Sequence, residues 1–249
     1  MRNLCAVAIL GALIAPLAFG PASAADFMVE PVVMTLPAKG TTQITVTNRD
    51  NTTVNFQVRG FKWDESVDGK TDLAAAPDLV YFPKQFALKP GEGRKIRLGV
   101  NTAPGPKERS YRLFIEELPP ASVPNSAGGE HIVVRTQVGL AVFTPATTAT
   151  TSATLGTPAA TANRLTVSVV NNGTVHILLK RVHVTAKDKA GSVLLNAELP
   201  GWYVLPGNTR AFAYALPAGA CAKLGSVTVD ASSDRTALVK TFDSISAGC

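Results

Sequence analysis

The sequence is short of the residues from which most catalytic and metal centres are built. Histidine and cysteine each occur three times, and aromatic residues make up only 6% of the chain. None of His131, His176 and His183 lies in a His-Glu-x-x-His arrangement, and no cysteine pair has the spacing of a zinc site. The three histidines therefore read as surface or edge residues. No Gly-x-Ser-x-Gly elbow is present, which removes the common serine-hydrolase layout. Gly91-Glu92-Gly93 lacks the third glycine and the following helix of a dinucleotide loop, and reads as a turn. The acidic pairs Asp64-Glu65 and Glu116-Glu117 are adjacent, so on a strand their carboxylates point to opposite faces and cannot flank one bond. The segment from Asp64 to Asp72 lacks the alternating oxygen ligands of a calcium loop and reads as an ordinary loop. These absences argue against an enzyme and against a bound metal or cofactor.

Charge of one sign is not concentrated either. Lysine and arginine total 24 against 18 aspartates and glutamates, a formal net charge of +6. The densest basic stretch is Arg94, Lys95 and Arg97, which strand alternation spreads over a solvated face. Nucleic-acid binding would want a concentrated patch with stacking aromatics, so no nucleic-acid partner is expected. Long apolar runs are absent except from Leu4 to Phe19. Arg2 precedes that run, Gly20-Pro21 breaks it, and Ala22-Ser23-Ala24 supplies the small-x-small pattern that signal peptidase cleaves after. Residues 1–24 thus read as a signal peptide. The competing reading is a membrane anchor, against which stand Pro16 inside the run and the cleavage pattern behind it. A lipoprotein would need a cysteine at the cleavage point, and Cys5 is too early. Once exported, the chain is expected not to be membrane-embedded. It keeps Cys221 and Cys249, and two cysteines in an exported chain suggest one disulfide. The alternative is a free thiol at Cys249.

What the sequence does contain is alternation. Ile44 and Val46 alternate with Thr45 and Thr47; Val54, Phe56 and Val58 with Asn55, Gln57 and Arg59; Ile96, Leu98 and Val100 with Arg97 and Gly99. A period of two marks half-buried strands, and no stretch after the leader has the length and spacing of an amphipathic helix. Turns fall between the strands at Pro37–Gly40, Asn48–Asn51, Asp68-Gly69 and Lys89–Glu92. Strands at this spacing indicate a sandwich. From Pro145 to Asn163 the chain is Thr, Ala, Ser, Gly and Pro with almost no large side chain, which reads as a linker with one weak edge strand. Beyond it alternation resumes at Leu165, Val167 and Val169. Asn172-Gly173 then turns into a strand predicted from Val175 to Ala186, and Phe212, Tyr214 and Leu216 alternate later. The predicted organisation is a leader (1–24), a first β-sandwich (25–146), and a linker with a second, smaller β-sandwich (147–249).

An ordered set of segments sharpens this. Phe61-Lys62-Trp63, Tyr81-Phe82-Pro83 and Phe86 to Arg97 precede Ser110-Tyr111-Arg112-Leu113-Phe114-Ile115-Glu116-Glu117-Leu118-Pro119-Pro120. Val142-Phe143-Thr144-Pro145 and Trp202-Tyr203-Val204-Leu205-Pro206-Gly207 follow. The set resembles the periplasmic pilus-assembly chaperones, most of all their archaic branch, over nearly the whole chain after the leader. The resemblance implies an all-β fold of two immunoglobulin-like sandwiches in a bent arrangement, a periplasmic location and no cofactor. It implies pilin-like subunits and an outer-membrane usher as partners. A pilin subunit is a sandwich short of one strand, and the chaperone lends a strand to complete it. The predicted donor runs from Ile132 to Phe143. Its even face, Ile132, Val134, Val138, Leu140 and Val142, is the more continuously apolar and is expected to be the face offered. Gly139 could host a β-bulge that switches the faces. The competing reading is a closed sandwich with core and solvent faces only, in a structural or adhesion module without a client.

The family holds the subunit's terminal carboxylate with an arginine and a lysine. The matching positions here are Val32 or Val33 and Leu140, all apolar, which leaves Arg135 as a possible basic contact. Glu108 fits one partner of the family's interdomain ion pair, but Thr144 stands where its arginine is usual.

Overall fold

A computed structural model of the chain describes residues 25–118, 134–235 and 237–249. Residues 1–24, where the leader is expected, and residues 119–133, with His131 and Ile132, lie outside the described residues. The first half is built from β1 (Phe27–Glu30), β2 (Val33–Thr35), β3 (Thr42–Asn48), β4 (Val54–Glu65), β5 (Thr71–Ala75), β6 (Leu79–Phe82), β7 (Gln85–Leu88), β8 (Gly93–Val100), β9 (Ser110–Leu118) and β10 (Gln137–Phe143). These form a four-stranded sheet in the order β1-β3-β8-β6. A six-stranded sheet in the order β2-β10-β9-β4-β5 packs on it, with β7 also on β4. The alternating apolar residues meet between the sheets. Ile44, Val46, Ile96 and Leu98 come from one side, and Phe56, Val58, Leu113 and Ile115 from the other. Each such side chain taken fully from water contributes about 1.5–3 kcal/mol. Tyr111 ties the layers, because its hydroxyl donates to Asp78 Oδ2 at 2.6 Å. Burial, with Asp78 beside it, pushes that phenol well above its ordinary range.

The second half follows as β11 (Ala153–Leu155), β12 (Ala159–Thr161), β13 (Arg164–Asn171), β14 (Ile177–Asp188), β15 (Val193–Pro200), β16 (Tyr203–Val204), β17 (Thr209–Ala215), β18 (Leu224–Ser233), β19 (Ala237–Phe242) and β20 (Ser246–Gly248). One 3-10 turn, Cys221–Lys223, is the only helical element among the described residues. One sheet runs β11-β13-β12-β20 with β17 on β13; the other runs β15-β14-β18-β19 with β16 on β14. The low-complexity stretch holds two short strands where one was expected. Both β11 and β12 lie on β13, whose Leu165, Val167 and Val169 supply the buried bulk that the small residues lack. Buried Asn171 pins this half by donating from Nδ2 to the carbonyls of Val175 and Val204, at 2.9 and 2.8 Å. A disulfide joins Cys221 to Cys249 and secures β20.

The halves meet in a buried seam of Trp63, Ala141, Phe143, Tyr203 and Leu205. The guanidinium of Arg112 lies 3.8 Å over the Trp63 ring and 5.6 Å from that of Trp202. Glu65 ends β4 and reaches into the second half. Its carboxylate accepts from Trp202 Nε1 and Arg210 Nη1, both at 2.7 Å. The β4–β5 turn docks alongside, with the Ala211 amide donating to the Val67 carbonyl at 2.7 Å. Gly69 in that turn has φ +82°, and a Cβ there would sit 2.7 Å from the Arg210 guanidinium. His176 is not the surface histidine expected. Its ring stacks on Phe143 at 3.7 Å, and its Nδ1 lies 2.7 Å from Glu108 Oε1. Glu108 thus finds an interdomain partner from the other sandwich, while the Thr144 hydroxyl accepts from the Arg109 amide at 3.0 Å.

Two outcomes are expected. Burial is the main influence on Glu65 and raises its carboxyl above the ordinary range, with Trp202 and Arg210 opposing. Arg210→Ala removes the main counter-charge and should cost on the order of 3 kcal/mol in urea unfolding at neutral pH. A group with a raised folded pKa is stabilising when protonated, so this deficit should shrink as pH falls through the raised value. A pH-independent deficit would contradict the assignment. Reducing the disulfide, or Cys221→Ser, should cost about 2–4 kcal/mol, since it frees the loop closed across a sequence separation of 28 residues. An unchanged urea midpoint would show that β20 is held by other contacts.

Candidate functional site

The chain crosses between the sheets of the first sandwich near its beginning. β1 pairs antiparallel with β3 in the smaller sheet. After the cis peptide bond between Glu30 and Pro31 the chain enters the larger sheet, where β2 pairs parallel with Ala141–Phe143 of β10. On its other side β10 pairs antiparallel with β9 in an unbroken register from Gln137↔Glu116 to Phe143↔Ser110. No bulge interrupts Gly139, so the faces do not switch.

This register fixes where each backbone group points. The Glu117 amide donates to the Thr136 carbonyl at 3.1 Å, so even residues turn toward β9. The Ala141 amide donates to the Val32 carbonyl at 3.0 Å, and the Phe143 carbonyl accepts from Leu36 at 2.7 Å, so odd residues turn the other way. Ahead of Ala141 the odd side has no strand. Gln137 and Gly139 point their amides and carbonyls to an edge that no described strand covers. A hollow of about 750 Å³ opens at the crossover, lined by Met28, Val29, Glu30, Pro31, Val32 and Val33.

The predicted donor residues divide along this strand. Leu140 and Val142 are fully buried in the core of their own sandwich and are committed to it. Val138 is half-buried against the same core, and Val134 is 44% exposed before the strand begins. Ile132 lies outside the described residues. The apolar face that remains accessible is therefore the early half of the predicted one. Arg135 is exposed and contributes a favourable charge to Glu116. Glu116 is held below the ordinary carboxylate range chiefly by its hydrogen bond from Arg59, with one from Gln137 adding to it.

The positions that the resemblance assigns to the anchor differ in exposure. Val32 and Val33 are about half exposed with no cation of their own, and Leu140 faces inward. A cleft of about 280 Å³ beside Val33 is lined by His176, Tyr203 and Arg235, among others. The sequence reading missed Arg235, Glu65 and Arg210, because no local motif links residues that meet only across the seam. Among the described residues no cluster of three or more His, Cys, Asp or Glu is placed to hold a metal. No helix among them is long and apolar enough to cross a membrane.

Residues 26–148 match the family model described as pili and flagellar-assembly chaperone, PapD N-terminal domain. No curated protein sequence matches the chain. Its fold is shared with solved chaperone structures at low identity. The CsuC–CsuE chaperone–tip adhesion subunit complex of the archaic Csu pili of Acinetobacter baumannii aligns at 18% identity and a TM-score of 0.61, covering 87% of this chain and 97% of that one. The class 5 fimbriae chaperone CfaA aligns at 16% identity and a TM-score of 0.56, covering 87% and 98%. The Salmonella enterica complex of SafA pilin with the SafB chaperone gives 15% identity and a TM-score of 0.53, covering 88% and 96%. The first sandwich thus matches the N-terminal domain of the pilus-assembly chaperones, and the two-sandwich fold is shared with solved chaperones.

Proposed function

We propose that this protein is a periplasmic chaperone that holds a pilin-like subunit by strand pairing along the free edge of β10 and passes it to an outer-membrane usher. The observation that carries the reading is the half-paired β10. Its later half is sealed by β2, while Gln137 and Gly139 present unpaired amides and carbonyls beside accessible Val134 and half-buried Val138. A sandwich that lacks one strand has the complementary need: unpaired backbone groups along an apolar groove, which invite aggregation unless capped. The family match over the first sandwich and the subunit-bound complexes that share this fold support the same reading. The leader pattern and the Cys221–Cys249 disulfide fit an oxidising compartment outside the cytoplasm. An adhesion or structural module without a client would be expected to close its edges.

The test uses a substitution confined to the free edge. Gln137→Pro deletes an amide that points away from β9, so the β9–β10 backbone ladder is kept and only the Gln137 side-chain bond to Glu116 goes with it. Pull-down of the wild-type protein from its native host, followed by mass spectrometry, should yield a one-to-one complex with a pilin-like subunit. Gln137→Pro and Val134→Asp should each lower the recovery several-fold, while circular dichroism shows a folded chain; one deleted backbone bond is worth about 0.5–1.5 kcal/mol. Recovery of the protein alone, or equal recovery with both variants, would contradict the reading.

A further inference from the structure

Gly139 is the one residue on the outward face of β10 that leaves its position bare, and the space is taken by a neighbour. It sits directly opposite Phe114 on β9. A Cβ built on Gly139 would lie 3.1 Å from the edge of the Phe114 ring. The ring edge therefore occupies the place beside Gly139 that a side chain would otherwise fill. Behind it stands Phe61 of β4, edge-on at 5.9 Å, which limits movement back toward the middle of the sheet. The surrounding positions on this face are polar: Arg59 pairs with Glu116, and Gln137 bonds to Glu116. The half-buried Phe114 is thus an apolar island held at the margin of the sheet, level with the exposed backbone of Gly139.

We propose that Phe114, reaching over Gly139, is a specificity-determining contact of this edge, and that it selects a partner strand carrying an aromatic or other large apolar side chain beside Gly139. The inference rests on the strand-pairing reading above. Adjacent strands lie about 4.8 Å apart, so a strand added to β10 runs roughly 9–10 Å from β9, too far for an ordinary contact across two strands. A ring lying over a bare glycine spans half of that gap. A large side chain on the added strand meets the ring face or edge and shields the glycine backbone, as an aromatic does across any strand glycine. Beside Gln137 the same strand faces an amide and the Glu116 carboxylate, so a polar residue suits that place. The outward face of the partner strand is thereby read at two positions as polar, then bulky and apolar.

Two fluorescent peptides of about ten residues, the length of a long strand, test this with the full chain. Both alternate Val with Thr, and they differ only at one central Thr position, which is Phe in the second. Fluorescence anisotropy should show the Phe peptide binding roughly threefold to tenfold tighter than the Thr peptide, the range expected of an aromatic pair. Gly139→Ala covers the bare backbone with a methyl group and shifts the ring edge by a few tenths of an ångström, and Phe114→Ala deletes the ring. The preference should fall in Gly139→Ala and to about one in Phe114→Ala, while the Thr peptide binds as before. If Phe114→Ala unfolds by circular dichroism, Gly139→Ala decides. Binding without preference in the wild type, or a preference that survives both variants, overturns the specificity role and leaves strand pairing intact. Failure of both peptides to bind overturns strand pairing at this edge, and the inference with it.

Discussion

A strand has two edges, and the structure depends on how those of β10 are shared. One edge is filled by β9 throughout. The other has a partner only where the chain, having left the smaller sheet at Glu30 and Pro31, arrives as the three-residue β2. Because β1 lies in the other sheet, where it pairs with β3, it does not cover the early half of β10. The open edge is therefore a consequence of topology, and its backbone groups are aimed outward by the register that buries Leu140 and Val142. Core packing and exposed edge are two results of one alternation.

The seam gives this edge a fixed surrounding. β10 ends in Ala141 and Phe143, which lie in the interdomain cluster with Trp63 and Tyr203. Glu65 and Glu108, both buried in the first sandwich, take Arg210 and His176 from the second as partners. Arg112 stacks against indoles from both sides. The two sandwiches are thus joined by charges that are costly to bury alone and are paired where they meet. The cleft beside Val33 and Arg235 is shaped by this joint, and it lies on the β2 side of β10.

Much of the fold was legible in the sequence, because half-buried strands advertise themselves by a period of two. Ile44 with Val46 and Ile96 with Leu98 were read as the buried faces of strands, and they are core. Cys221 and Cys249, for which one disulfide was expected with a free thiol as the alternative, are joined. What escaped was non-local. Glu65 and Arg210 lie 145 residues apart and carry no motif. His176 looked like a surface histidine because nothing near it in sequence reveals Phe143 or Glu108. The strands β11 and β12 were under-read because Ala and Thr owe their order to β13. The even face of β10 was read as a unit, but the sheet crossover divides it into an accessible half and a core half, and no property of the residues 132–143 announces that division.

The central claim is that the backbone groups of Gln137 and Gly139, which no strand among the described residues covers, are the ones a bound subunit pairs with. Amide hydrogen exchange measured residue by residue tests it most directly. In the free protein Gln137 and Gly139 should exchange quickly while Val138 and Leu140, bonded to β9, exchange slowly. In the complex with a pilin-like subunit all four should be slow. Slow exchange at Gln137 and Gly139 in the free protein, or unchanged fast exchange there in the complex, would contradict the account.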